Sequence, residues 1–227
     1  ISSIDSAEGE YGVVLAPGWL NEGLRSLDGI AIVVDSQHSK TVWIPASVLE
    51  EKAVLARFAK ASSISGHHVK PMLRWFLDRK IDIPKIGFDT AIAAYLLEPA
   101  QSKLEAHEVL ARYTQDRISA RVDGNVSDGQ LSFDSQDSNT SSDASNVAVA
   151  VSRVIPALVK EIALQGVVGL FNDVELPLIR VLAKMEHVGV LVDKKQLTAI
   201  NDHLVHETKR LTVVLHELAG KTFNLNS

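Results

Sequence analysis

A nearly unbroken β-branched run, Ile30-Ala31-Ile32-Val33-Val34, most constrains the fold of this chain. Such a run reads as a strand buried on both faces. Asp35 to Lys40 is polar and turn-like. Thr41-Val42-Trp43-Ile44 then returns as the second arm of a hairpin, stopped by Pro45. Gly12 to Leu15 is an earlier short apolar strand, punctuated by Ala16-Pro17-Gly18.

Helical spacing follows the hairpin. Ser47 to Ala61 reads as a helix anchored by Val48, Leu49, Leu55 and Phe58. A short strand, Ser62 to Ser65, leads through Gly66 into His67 to Lys80, where Val69, Met72, Leu73 and Phe76 recur at i, i+3, i+4, i+7. Ile81 to Gly87 is an extended piece broken by Pro84. Asp89 caps a helix from Thr90 to Leu97, and Leu104 to Tyr113 forms another. Strands first, then strands interleaved with helices, predict an α/β protein with a mixed sheet.

Ser119 to Asn146 departs from this pattern. Ser, Asp, Asn and Gly dominate it, with few apolar side chains to offset the entropy of ordering, and it reads as a mobile acidic surface insertion. Val147 to Leu164 resumes as a helix with Val151, Ile155, Leu158 and Ile162 on one stripe. Asp173 suits an N-cap with Pro177 in the first turn. Leu178, Leu182 and Met185 share a face of that helix, which ends at Gly189. Asp193 caps a long helix to about Leu218 with an apolar seam of Leu197, Ile200, Leu204, Leu211, Val214 and Leu218, closed by Gly220.

With no cysteine among 227 residues, disulfides and thiolate-held zinc are excluded. No apolar run is long enough to suggest a membrane span. The absence of a signal-like N-terminus agrees with a cytoplasmic protein. The chain begins at Ile1 rather than Met, as a piece of a longer protein would. A net charge of −5 gives no overall excess for gripping nucleic acid, so any such grip is local or lies elsewhere.

Three stretches carry a family resemblance: Val174-Glu175-Leu176-Pro177-Leu178, Met185-Glu186-His187-Val188-Gly189-Val190, and Ala219-Gly220 followed by Phe223-Asn224-Leu225-Asn226-Ser227. Gly87-Phe88-Asp89-Thr90 and Ala93 to Pro99 extend it upstream. Together they resemble the family A bacterial DNA polymerases I, of actinobacterial type, where a 3′–5′ exonuclease-like domain meets the polymerase domain. The resemblance implies a ribonuclease-H-like, exonuclease-like domain over 1–166, carrying the insertion at 119–146, and the start of the polymerase domain over 167–227, with long helices leading into the thumb. It implies a monomeric parent enzyme of DNA replication and repair that binds DNA and uses Mg²⁺ at polymerase carboxylates outside this chain.

Proofreading members of the family hydrolyse phosphodiesters with two metal ions about 3.5–4 Å apart, held by carboxylates. They carry an Asp-x-Glu pair on the first strand, an Asp early in a middle helix, and a Tyr-x-x-x-Asp on the last helix. Here the matching positions are Ala16 and Gly18, Met72, and Ser142 with Asn146. The resemblance therefore implies an exonuclease-like domain without catalytic residues, metal or cofactor of its own. The rival expectation is a site rebuilt from Asp5, Glu8, Asp35 or Asp143.

Three further groups merit notice. His203, His206 and Glu207 lie on the long helix but match neither helical zinc signature and read as a solvated face. Lys194, Lys195, Lys209 and Arg210 suit DNA backbone contacts. Gln130-Leu131-Ser132-Phe133 loosely resembles the short peptide by which bacterial proteins bind the sliding clamp, which makes the clamp a candidate partner.

Overall fold

The computed structural model describes residues 7–19, 26–35, 37, 39–101, 104–115 and 135–224, and of 135–139 the backbone only. Six strands form one mixed sheet: β1 (Glu8–Gly9), β2 (Gly12–Trp19), β3 (Leu27–Asp35), β4 (Lys40–Pro45), β5 (Ile64–Gly66) and β6 (Ile86–Asp89). Its order is β4-β3-β2-β5-β6, with β1 paired to β2. β2, β3 and β4 follow one another closely in the chain and pair antiparallel. β5 and β6 each arrive after helical segments and pair parallel, as crossover connections require. The expected α/β class with a mixed sheet is the one observed.

β2 runs further than its sequence suggests. It continues through Pro17 to Trp19 instead of stopping at Leu15. Pro17 faces Ile30 of β3, whereas β5 pairs with β2 only at Val13 and Val14. The missing N–H therefore falls where β5 no longer needs a donor.

Eight α-helices cover the sheet or follow it among the described residues: α1 (Ala46–Leu49), α2 (Lys52–Phe58), α3 (Val69–Asp78), α4 (Thr90–Leu97), α5 (Ala106–Tyr113), α6 (Ser135–Leu164), α7 (Leu176–Val188) and α8 (Lys194–Ala219). The single helix expected over Ser47 to Ala61 is two short ones, α1 and α2, separated at Glu50–Glu51. The acidic stretch is also corrected in part. From Ser135 onward it is helical, and α6 starts twelve residues before Val147. Ala144 and Ala148, one turn apart, are both buried and anchor this early part of the helix.

Alternation along the strands divides the core. Val13, Leu15, Ile30 and Ile32 join the main core with Phe58, Phe76, Val151, Ile155 and Leu158. Ala16, Ala31 and Val33 join a second, smaller cluster with Ala144 and Ala148.

Two compact units divide the chain, Ile1–Val188 and Gly189–Ser227. The break falls beyond residue 166 because Phe171, Leu176, Ile179 and Ala183 are buried in the main core of the first unit. Burying each of the larger of these side chains contributes about 1.5–3 kcal/mol. Asp173 is not an N-cap: it lies inside a π-helical turn, Leu170–Glu175, that precedes α7. The face of Leu178, Leu182 and Met185 is exposed, and α7 buries Leu176, Ile179 and Ala183 instead.

Ion pairs add register to that packing. Glu186 meets Lys70 at 2.6 Å and Arg74 at 2.7 Å, both on α3. Asp82 meets Lys184 at 2.6 Å and Arg180 at 2.8 Å, and His187 meets Asp78 at 2.8 Å. These groups are partly exposed, so each pair contributes no more than about 1 kcal/mol. Apolar burial holds α7, and the charges select its position.

The second unit contains α8, capped by Asp193, whose carboxylate accepts from the N–H groups of Lys195 and Gln196. Gly220 closes it with φ 66°. Its apolar seam is present as read, but none of its residues is buried. No helix of the described residues is long and apolar enough to cross a membrane.

Asp89 is the polar keystone of the first unit. Its carboxylate accepts from Ala91 and Ile92 at the start of α4, and from His68 and Val69 at the start of α3. Burial pushes this carboxyl up, while those backbone donors pull it down. Asp89→Ala removes the acceptor of four N–H groups, that of Val69 buried and the others partly buried, and should destabilise the protein by roughly 2–4 kcal/mol. Urea unfolding of the variant checks this, and Asp89→Asn, which keeps one acceptor oxygen, should lose less.

Candidate functional site

The positions at which the resemblance places metal ligands can be followed through the fold. β2 and β3 present small residues to one another: Ala16 faces Ala31 and Gly18 faces Gly29. This allows α6 to come close. Ala144 and Ala148 of α6 sit in the same cluster as Ala16 and Ala31, and Trp43 packs against it. A Cβ at Gly18 would lie 2.6 Å from Thr140 Cγ2 of α6 and 2.8 Å from the Trp43 ring. At Gly29 it would lie 2.3 Å from the same ring. Space that acidic side chains would need is therefore taken up by an indole and a close-packed helix.

Ala16 is 1% exposed, and its methyl carries no ligand atom. Met72, on α3, is also 1% exposed and belongs to the main apolar core. Ser142 is exposed and Asn146 half-buried on α6. Side chains at Ala16, Gly18 and Met72 supply no oxygen, so the residues present do not fit a two-metal centre.

The acids that could rebuild a site are scattered. Glu8 accepts from the backbone N–H of Ser62 at 2.8 Å and from its hydroxyl at 2.5 Å. Chiefly the hydroxyl bond, and then the N–H bond, holds its carboxyl below the ordinary range. Asp35 ends β3 and Asp143 lies on α6. Asp5 lies outside the described residues, as do Gln130, Leu131, Ser132 and Phe133 of the clamp-like peptide. Among the described residues, no three His, Cys, Asp or Glu side chains are grouped to hold a metal ion.

His67 and His68 follow β5 and lead into α3, and their rings stand 4.6 Å apart. His67 Nδ1 lies 2.9 Å from the Thr90 hydroxyl, which donates to the Gly66 carbonyl. Burial pushes the His67 imidazole down to about 3, helped by its neighbours His68 and His107. It is a neutral, buried connector of α3 to α4, not a ligand.

On α8, His206 and Glu207 are 3.8 Å apart, and Glu207 bonds Arg210 at 2.9 Å. Lys194, Lys195, Lys209 and Arg210, the group suggested for DNA contact, are all exposed, Arg210 while paired with Glu207. Glu175 ends the π-helical turn, and Glu186 is the ion-pair partner of Lys70 and Arg74. That second role was not legible in sequence, because the partners lie more than a hundred residues away.

The sheet order and its helical cover define a mixed α/β protein. The solved "POL domain of Pol1 from M. smegmatis", in complex with DNA primer-template and dNTP, has the same fold. It superposes with a TM-score of 0.70 at 21% identity, covering 98% of this chain and 36% of that one. DNA polymerase I of Bacillus subtilis is 30% identical over 155 residues, 68% of this chain and 17% of the relative. DNA polymerase I of Mycobacterium tuberculosis (strain H37Rv) is 27% identical over 206 residues, 88% of this chain and 23% of the relative. The chain is thus a homologue of bacterial DNA polymerase I over most of its length, and it spans about a fifth of those curated relatives. No family model matches it.

Neutral burial of His67 makes stability depend on pH. Its folded value, about 3, lies below the ordinary 6.5. The unfolded chain therefore binds the extra proton. The stabilisation is complete above pH 6.5 and is lost as pH falls from 6.5 toward 3. The loss attributable to His67 should reach about 2 kcal/mol by pH 5. Urea unfolding at pH 7.5 and pH 5 checks this: His67→Asn should show a difference smaller by that amount.

Proposed function

We propose that this chain is a piece of a DNA polymerase I, a template-directed DNA polymerase of replication and repair. Residues 1–166 form its exonuclease-derived, ribonuclease-H-like body, and residues 167–227 open the polymerase domain. The body carries no nuclease chemistry and acts as a scaffold beside the polymerase.

One observation supports the inactive reading: Ala16, where the resemblance expects the first carboxylate, is close-packed with Ala31, Ala144 and Ala148. Its surroundings could not take a carboxylate cheaply, since desolvating an unpaired charge costs several kcal/mol. The antiparallel-then-parallel strand order supports the ribonuclease-H-like reading. Similarity that runs across the junction into α7 and α8 supports the polymerase assignment.

Substrate DNA is engaged through the complete parent enzyme, in the cytoplasm and as a monomer. Lys194, Lys195, Lys209 and Arg210 are exposed and suit phosphate contacts on the polymerase side. Mg²⁺ serves the polymerase domain of the parent and has no ligands in this body.

Incubation of the purified chain with a 3′-labelled single strand and Mg²⁺ or Mn²⁺ should release no nucleotide above a metal-free control. Metal-dependent release that disappears when Glu8, Asp35 and Asp143 are replaced by the corresponding amides would show instead that displaced acids had rebuilt a nuclease.

A further inference from the structure

A groove on the first unit lies away from the vacated metal positions and is used by nothing described above. Its volume is about 700 Å³, within the range of small-molecule sites. One wall is the extended segment Pro84 to Gly87, which enters the edge strand β6. The other is the π-helical turn with the first two turns of α7. π-Helical turns are rare and concentrate at functional sites.

The lining combines an apolar floor with converging cations. Ile86, Leu176, Pro177 and Val181 supply the apolar part, and Lys85, Arg180 and Lys184 supply the charge. Arg180 is held in place: its Nε donates to the Ile83 carbonyl at 2.9 Å and its Nη2 meets Asp82 at 2.8 Å. Lys184 shares that carboxylate at 2.6 Å. Lys85 is exposed on the opposite wall, and the Asn172 amide adds a neutral donor from the π-helical turn. Three cations against the carboxylates of Asp82 and Asp173 leave one positive charge in excess, in a chain whose net charge is −5.

We propose that this groove binds a nucleoside phosphate, either a free nucleotide or one unit of a single strand. The phosphate lies between Lys85 and the pinned Arg180, and the sugar and base lie on the apolar floor. A pinned arginine facing an exposed lysine suits a phosphate oxyanion, and an apolar floor of this size suits a base and sugar better than inorganic phosphate alone. The proposal does not depend on the polymerase reading, because it rests only on the groove.

The test is an amide-resolved NMR titration of the whole chain with thymidine, thymidine 5′-monophosphate and oligothymidylate (dT)8. Shifts at Lys85, Gly87, Asn172 and Arg180 are expected with the monophosphate or with (dT)8, and not with thymidine. Response to both ligands identifies a free-nucleotide site, and response to (dT)8 alone identifies a strand site. Lys85→Glu, at an exposed position, should weaken binding about tenfold and leave the fold unchanged, as its remaining amide spectrum will report. Absence of shifts with both phosphates, equal shifts with thymidine, or undiminished binding by Lys85→Glu would each overturn the proposal.

Discussion

Close approach of α6 to β2 and β3 is the contact on which the rest of this architecture depends. It needs small residues on both sides: Ala16 and Ala31 meet Ala144 and Ala148 there, and Gly18 leaves room for Thr140 of α6. Once α6 sits against the strands, its later turns carry Val151, Val154, Ile155 and Leu158 into the main core. The same contact includes Ala16, one of the positions at which the resemblance expects an acidic ligand.

A second constraint fixes the opposite side of the sheet. Asp89 begins α4 and also receives the first N–H groups of α3, so one buried carboxylate sets the angle between two helices. α3 in turn carries Lys70 and Arg74, which select the position of α7 through Glu186. Apolar burial of Leu176, Ile179 and Ala183 supplies most of the holding energy, and the ion pairs define which register is occupied. The segment that resembles the start of a polymerase domain is in this way built into the core of the first unit up to Val188.

Much of this was readable from residue pattern. The β-branched run of β3, the hairpin to β4, the cap at Asp89 and the long helix between Asp193 and Gly220 all follow local rules. Local rules failed where tertiary contact decides. Pro17 would end β2 by local rules, yet it lies beyond the stretch of β2 that pairs with β5, where the N–H it lacks is not needed. Polar residues masked the first turns of α6, although Ala144 and Ala148 at one-turn spacing were the available signal. Leu178, Leu182 and Met185 formed the more obvious apolar face of α7, but Leu176, Ile179 and Ala183 are the buried ones. At the vacated site, Met72 was legible through resemblance alone. The packing that occupies the strands was not, because it joins residues more than a hundred positions apart.

The proposed loss of metal binding requires that the positions the resemblance marks for ligands, Ala16, Gly18, Met72 and Asn146, hold no ion. Paramagnetic broadening by Mn²⁺ tests that claim directly on the folded chain. Titration should leave the amides of β2, of α3 around Met72, and of α6 around Asn146 no more broadened than exposed acidic positions elsewhere. Selective, saturable broadening at those three places at sub-millimolar Mn²⁺ would contradict the account.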